Sequence, residues 1–246
     1  MRDAVLAAAV FVLVWQAVVT LGDLPPFILP PPLAVAETLW SSRELIAEHA
    51  LVTMTEVLAG LALGTLLGAW TAISLVMSRA ARAVVLPFLV FSQAIPVFAL
   101  APILVLWLGY GIGSKIAMAV LIIYFPVASA FYDGLRRTEA GLIDLASVMG
   151  AHPWRTLWHI RIPAALPALG SGLRLGAVYA PIGAVIGEWV GASNGLGYLM
   201  LLANGRAKID LMFAALFVLA GCTVLLYALI GMVARRLERY AADIAE

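Results

Sequence analysis

Apolar positions fall in long unbroken runs, at Val5 to Leu21, Val52 to Met77, Val84 to Leu108, Ile116 to Phe131, Leu166 to Val190 and Leu211 to Val233. At 1.5 Å per residue, most of these runs are long enough to cross a hydrocarbon layer of roughly 30 Å. Between them lie short polar stretches rich in arginine, glycine and proline. The runs do not alternate with a period of two, and they extend to about twenty residues, twice the length of a transmembrane strand. Hydrocarbon offers no partner to backbone N–H and C=O groups, so each spanning segment must satisfy its own, and helices do so. The pattern predicts an all-α, polytopic membrane protein of about six transmembrane helices in one domain covering residues 1–246. The fourth run is the shortest. The first, preceded by Arg2, also fits a secretory signal, but no small-residue cleavage pattern stands before Pro25 and Pro26.

Composition agrees. Of 246 residues, 64% are apolar and 12% charged, against roughly 25% charged in a soluble domain. The net charge of +1 and the absence of a basic tract give no sign of a nucleic-acid partner. The single Cys222 cannot form an intramolecular disulfide. His152 and His159, without nearby carboxylates or thiols, make a poor metal site. No metal-binding or catalytic set is expected.

Orientation follows the placement of cations in the short loops. With the N-terminus in the cytoplasm, the inner side holds Arg2, Arg79, Arg82, Arg136, Arg137, Arg155, Arg161, Arg174, Arg235, Arg236 and Arg239, and the outer side only Arg43, Lys115, Arg206 and Lys208. Both termini are therefore expected in the cytoplasm. The first outer loop, Gly22 to Ala50, carries five prolines and predicts a short surface helix after a rigid extended turn. Glycines recur every four residues at Gly60, Gly64 and Gly68 in the second run and at Gly172/Gly176 and Gly183/Gly187 in the fifth. Residues four apart share a helix face, and small ones allow close backbone approach, so both helices are expected inside the bundle. Glu56 shares a face with Gly60 and Gly64, and its place near the outer end predicts a hydrated carboxylate.

The longest cytoplasmic stretch is Asp133 to Pro163, too long for a simple turn. Gly141 to Met149 can form a short helix with Leu142, Leu145 and Met149 on one side, ended by Gly150. Trp154 to Ile160 can form a second short helix, and Pro163 and Pro167 open the next span in the first turn, where proline is tolerated. The expected product is a helix, turn, helix unit beneath the membrane. Polar groups inside spans invite a functional reading, and Ser92, Gln93, Tyr124, Tyr179 and Glu188 with Trp189 are the candidates. Pro96 interrupts the third run beside Gln93, and Pro181 follows Tyr179 closely. These groups are candidates for solute contact, with interhelical hydrogen bonding as the alternative. For Glu188 and Trp189, near the outer end of the fifth run, the candidate role is a gate or a receptor contact.

The cytoplasmic stretch resembles the signature loop of binding-protein-dependent ABC importer permeases: Asp144, Ala146, Gly150, then Ile160 and Pro163. It departs from that pattern in Asp144 for glutamate, Leu145 for the first alanine and Ile162 for leucine. The segment Ser92-Gln93-Ala94-Ile95-Pro96 through Ala101-Pro102 to Trp107-Leu108-Gly109-Tyr110-Gly111 resembles the branch serving sulfonates, taurine, nitrate and thiamine precursors. So do Gly187-Glu188-Trp189 and Gly195-Leu196-Gly197-Tyr198. Phe131 to Thr138 and Ala180 to Gly191 are most similar to the subgroup for hydroxymethylpyrimidine, the pyrimidine precursor of thiamine. The resemblance implies a type I importer permease of the bacterial inner membrane with a coupling helix pair between the fourth and fifth spans. It further implies two cytoplasmic ABC ATPase subunits seated on the coupling residues Asp144, Leu145, Ala146, Gly150, Ile160, Ile162 and Pro163, a second copy of the permease, and an extracytoplasmic solute-binding protein. No G-x-x-x-x-G-K-[ST] loop occurs, so ATP and Mg are expected on the partner ATPase and no cofactor on this chain. A secondary transporter or channel is the alternative, for which a buried charge pair within the spans would be the mark.

Overall fold

A computed structural model describes the backbone of residues 2–245 and the side chains of residues 6–243, so the side chain of Arg2 and the start of the first expected run at Val5 lie outside the described side chains. The helices are α1 (Arg2–Leu21), α2 (Pro32–Ser41), α3 (Arg43–Met77), α4 (Arg79–Ser92), α5 (Val97–Leu108), α6 (Ile112–Arg136), α7 (Ala140–Val148), α8 (Pro153–Thr156), α9 (Ile162–Gly191), α10 (Leu196–Gly205) and α11 (Ile209–Ala245), with a π turn at Leu157–Arg161 between α8 and α9. Among the described residues, four helices are long and apolar enough to cross a membrane: α3, α6, the continuous rod Pro153–Gly191, and α11. The described part of α1, Leu6–Leu21, is shorter but apolar.

Two expectations change. The third apolar run is not one straight helix: α4 and α5 meet at 104°, because Pro96 withholds an N–H and biases Ile95 out of the helical region. The pair counts as a fifth span only if the bend is included. The fourth run, expected to be the shortest, is a 25-residue helix; its polar ends at Gly113–Lys115 and Tyr132–Arg136 continue the helical backbone beyond the apolar centre.

The core is built on α6, which lies between α3 and α9. Ideal Cβ atoms placed on Gly60 and Gly64 of α3 would strike Ala119 and Ile123. On α9, those of Gly176, Gly183 and Gly187 would meet Ile123, the Ala119 backbone and Lys115. The two glycine rows foreseen in the sequence therefore converge on one central helix, both meeting it at Ala119 and Ile123, and Gly176 also lies against Leu61 of α3. Without a hydrophobic drive between helices in lipid, this backbone proximity supplies dispersion contact that larger side chains would prevent.

Two further apolar clusters close the ends. At one end Val35, Ile46, Leu196, Leu199 and Leu211 join α2, α3, α10 and α11. There the Thr38 hydroxyl donates to Asp210 Oδ2 at 2.6 Å, and Trp15 of α1 packs against Phe213 and Phe217 of α11. The expected surface helix of the proline-rich loop is α2, begun by Pro31 and Pro32. At the other end Leu75, Phe131, Tyr132, Leu135, Leu157 and Ala165 form the floor beneath α7.

Candidate functional site

At the α7 end, the stretch between α6 and α9 turns on Gly150. Helix α7 stops because Gly150 takes φ +71°, a left-handed conformation that costs an L-residue roughly 1–2 kcal/mol. Its N–H donates to the Ser147 carbonyl at 3.0 Å, and the Ala151 N–H to the Ala146 carbonyl at 2.9 Å, so the last carbonyls of α7 are satisfied within the turn. Ala146 is buried, and Asp144 is exposed. Leu142, Leu145, Val148 and Met149 are 45%, 57%, 86% and 77% exposed. Hydrophobic side chains on a nine-residue helix are thus left uncovered.

The second helix of the expected pair is not a separate element. Pro153 starts α8, whose N-cap His152 accepts from the Trp154 N–H. The chain then runs through the π turn, where the Ile162 N–H donates to the Leu157 carbonyl, directly into α9. Ile160 and Ile162 are half-buried and Pro163 is buried near the α7 floor. The foreseen hairpin is therefore one free helix, α7, joined by a tight turn to the foot of a 39-residue rod. Proline at position 163 does not break this rod because the widened π turn immediately before it relieves the need for a regular i−4 donor.

The candidate pathway residues divide into three groups. Gln93, at the end of α4, and Tyr179, on α9, line one groove of about 540 Å³ with Phe125, Pro126 and Ser129 of α6. Ser92 and Tyr124 line a neighbouring pocket of about 210 Å³. There Tyr124 is tied across the bundle, its hydroxyl donating to Thr71 at 2.9 Å, while Ser92 donates to the Leu89 carbonyl. Pro96 caps α5 at the bend. Trp189 faces a different side of α9, in a larger apolar groove shared with α10 and α11.

Glu188 joins none of these groups. Expected at a gate or receptor contact, it is 1% exposed and its carboxyl is enclosed by α3 and the start of α10. The Thr53 hydroxyl donates to Glu188 Oε1 at 2.6 Å, and the Gly197 N–H donates to Oε2. Thr53 also accepts from the Leu196 N–H at 2.8 Å, and His49 Nδ1 accepts from the Gly195 N–H at 2.9 Å. Gly195 has φ +112°, and a Cβ there or at Gly197 would run into the Glu188 carboxyl. The glycines of the 195–198 motif are thus required by a backbone wrapped onto a carboxyl.

One turn further along α3, Glu56 is fully enclosed, not hydrated as expected, and Lys115 Nζ lies 3.1 Å from its Oε1. Lys115 is 6% exposed and does not belong with the outer-loop cations. The expected outer set reduces to Arg43, Arg206 and Lys208. Thr53, His49, Glu56 and Lys115 were the residues that linear reading did not bring together. The signal available was the shared face of Glu56, Gly60 and Gly64, which is the face that meets α6. A buried charge pair does occur within the spans, so this mark cannot separate an ATP-driven importer from a secondary transporter, and sequence kinship has to decide.

That kinship is specific. Residues 64–239 match the family model described as binding-protein-dependent transport system inner membrane component. A probable ABC transporter permease protein of Haemophilus influenzae is 54% identical over 90% of this chain and 91% of its own length. The riboflavin transport system permease protein RibX of Chloroflexus aurantiacus is 38% identical over 93% of this chain and 86% of its own. The formylaminopyrimidine transport permease protein ThiX of Halalkalibacterium halodurans is 37% identical over 83% and 82%. In architecture the chain is similar to the inward-facing MetNI methionine ABC transporter, with TM-score 0.62 and 19% identity over 82% of this chain and 98% of that one. The chain belongs to the binding-protein-dependent transport system inner membrane components, the membrane-spanning permease subunits of ABC importers.

Proposed function

We propose that this permease works as one half of a homodimeric importer, driven by two cytoplasmic ATPases and supplied by an extracytoplasmic binding protein, with both of its own termini in the cytoplasm of the bacterium. The observation that carries the reading is the uncovered apolar face of α7, set off by the left-handed turn at Gly150. Leu142, Leu145, Val148 and Met149 supply an anchor for a hydrophobic groove on an ATPase, and Asp144 supplies a charge at its rim. Clamping α7 moves the foot of the adjoining rod as a rigid body, because packed interfaces switch between discrete arrangements instead of deforming continuously. Ile143 and Ser147 of α7 line one pocket with Arg161 at that foot. ATP and Mg act on the ATPase, and this chain performs no catalytic step.

For the solute, the groove of Gln93, Phe125, Ser129 and Tyr179 supports a small uncharged heteroaromatic ring, with hydroxymethylpyrimidine or a related pyrimidine as the leading candidate. Two aromatic faces offer stacking, an amide offers a donor beside an acceptor, and the residues lining this groove include no cation for a sulfonate. Ser92, Tyr124 and Pro96 shape its neighbourhood from the bend. Two relatives named for flat heteroaromatic solutes, riboflavin and formylaminopyrimidine, lend the same support.

The test is reconstitution of the full complex in liposomes, with uptake of labelled pyrimidine measured against taurine. Uptake that requires ATP, the ATPase and the binding protein, and that favours the pyrimidine, is the expected result. Uptake by this chain alone, without a nucleotide-hydrolysing partner, would end the coupling assignment.

A further inference from the structure

The α10 end of the bundle encloses two carboxyls and one ammonium. Glu56 and Glu188 are 0% and 1% exposed and share one neighbourhood: Thr53, one turn before Glu56, donates to Glu188, and Gly187, beside Glu188, lies against Lys115, the partner of Glu56. Lys115 is the one basic side chain paired with either of them among the described residues. Carboxylate oxygens only accept hydrogen bonds, so two ionised carboxylates enclosed together repel, and here they would leave one uncompensated negative charge in a dry interior. Nothing in the solute pathway uses these groups.

The donors are distributed unevenly. Glu188 receives the Thr53 hydroxyl on one oxygen and the Gly197 N–H on the other, the pattern that suits an anion. The Lys115 ammonium lies 3.1 Å from Glu56 Oε1 as an ion pair, and neither of the buried Glu56 oxygens has a hydrogen-bond partner. His49 is already committed to the Gly195 N–H and, with Tyr198 beside its ring, supplies no further cation.

We propose that Glu56 and Glu188 form a proton-binding site within the bundle: one proton, taken from solvent, resides on Glu56 Oε2 and is donated to Glu188, so that Lys115, Glu188 and neutral Glu56 sum to zero charge. The site goes beyond solute transport and is the same whichever solute is carried. The bound proton completes the shell around Glu188 and with it the attachment of the 195–198 loop and α10 to α3 and α9. Without it, Glu188 faces a second anion at the point where that loop is tied down.

The assignment predicts an asymmetry between two conservative substitutions. In Glu56→Gln the amide nitrogen can replace the protonated oxygen, donating to Glu188 while the amide oxygen still accepts from Lys115. In Glu188→Gln one amide N–H must face either the Gly197 N–H, donor against donor, or the Thr53 hydroxyl, which then gives up its bond to residue 188 and is left with the longer 3.3 Å contact to the His49 carbonyl. The experiment is infrared spectroscopy and thermal unfolding of the full chain in lipid nanodiscs at neutral pH. Wild type is expected to show a protonated-carboxyl carbonyl band that shifts in deuterated water, a readout that needs no variant. Glu56→Gln should lose the band and keep the wild-type melting temperature, whereas Glu188→Gln should melt lower. A wild-type spectrum without such a band overturns the proposal. So does a Glu188→Gln protein as stable as wild type or more so, which is what relief of repulsion between two anions would give. Equal destabilisation by both substitutions overturns the placement of the proton on Glu56.

Discussion

Replacing Gly183 by alanine tests whether backbone proximity to α6 holds the bundle together. A Cβ at this position would lie 2.7 Å from Ala119 Cα, 3.1 Å from Ala119 N and 3.2 Å from the Met118 carbonyl oxygen. Those atoms are backbone of a helix that Gly60 and Gly64 of α3 also hold close, so no side-chain rotation can clear the way. Helices α6 and α9 must separate by about 1 Å, and a gap of that size forfeits roughly a quarter to a half of each dispersion contact along the seam. Overpacking of this kind costs about 1–3 kcal/mol, and contact with backbone places this site in the upper part of that range. Alanine also returns about 1 kcal/mol of helix propensity, leaving a net loss of about 1–2 kcal/mol. Gly221 of α11 provides the control, because nothing lies within 4 Å of a Cβ there and Gly221→Ala retains only the propensity gain. At about 2–4 °C per kcal/mol for a chain of this size, the two variants should differ by roughly 5–10 °C in thermal unfolding followed by circular dichroism in detergent micelles. Equal melting temperatures, or a Gly183→Ala protein more stable than Gly221→Ala, would show that the seam has slack and that the glycine row is not what sets the α6–α9 distance.

Other perturbations report on separate parts of the molecule. Gly150→Val places a β-branched residue at φ +71° in open space, straining the turn by roughly 1–3 kcal/mol; membrane insertion should persist while ATP-dependent uptake fails, and normal uptake would remove Gly150 from the coupling element. Leu145→Asp changes an exposed side chain, so the unfolding temperature should stay within the range of a surface substitution, about 0.5 kcal/mol, while the ATPase no longer co-purifies. Lys115→Met leaves the buried carboxyls without their cation and should cost about 3–5 kcal/mol, seen as loss of folded protein on size-exclusion chromatography. Arg174→Ala removes an ion pair with Glu238 whose side chains are 30% and 40% exposed, and its effect on the melting point should correspond to 1 kcal/mol or less.

Much of this architecture is legible in the linear pattern because lipid imposes one local rule, that a spanning segment satisfies its own backbone. Apolar length therefore located α3, α6, α9 and α11, and glycine spacing located the faces that meet. Proline located the start of α5 at Pro96 and the start of α2, but not the 104° angle between α4 and α5, which depends on how α5 packs against its neighbours. The foot of α9 was misread for a related reason: a π turn leaves no mark in hydrophobic periodicity, so Trp154 to Ile160 looked like an independent helix. Glu56 and Lys115 were misplaced because distance from the end of an apolar run is a poor guide to burial when two helices extend past the run. Their pairing across α3 and α6 is a long-range fact that neither segment contains.

The rod from Pro153 to Gly191 spans about 58 Å by helical rise, nearly double the hydrocarbon thickness of roughly 30 Å. It rests on α6 through Gly172, Gly183 and Gly187, which lie close against α6 backbone, and through Gly176, which lies against the side chains of Ile123 and Val127. Such a seam serves as a fulcrum. Rocking the rod by 5° about its midpoint swings each tip by about 2.5 Å in opposite directions, enough to exchange one set of side-chain contacts for the next at both membrane surfaces while the middle hardly moves.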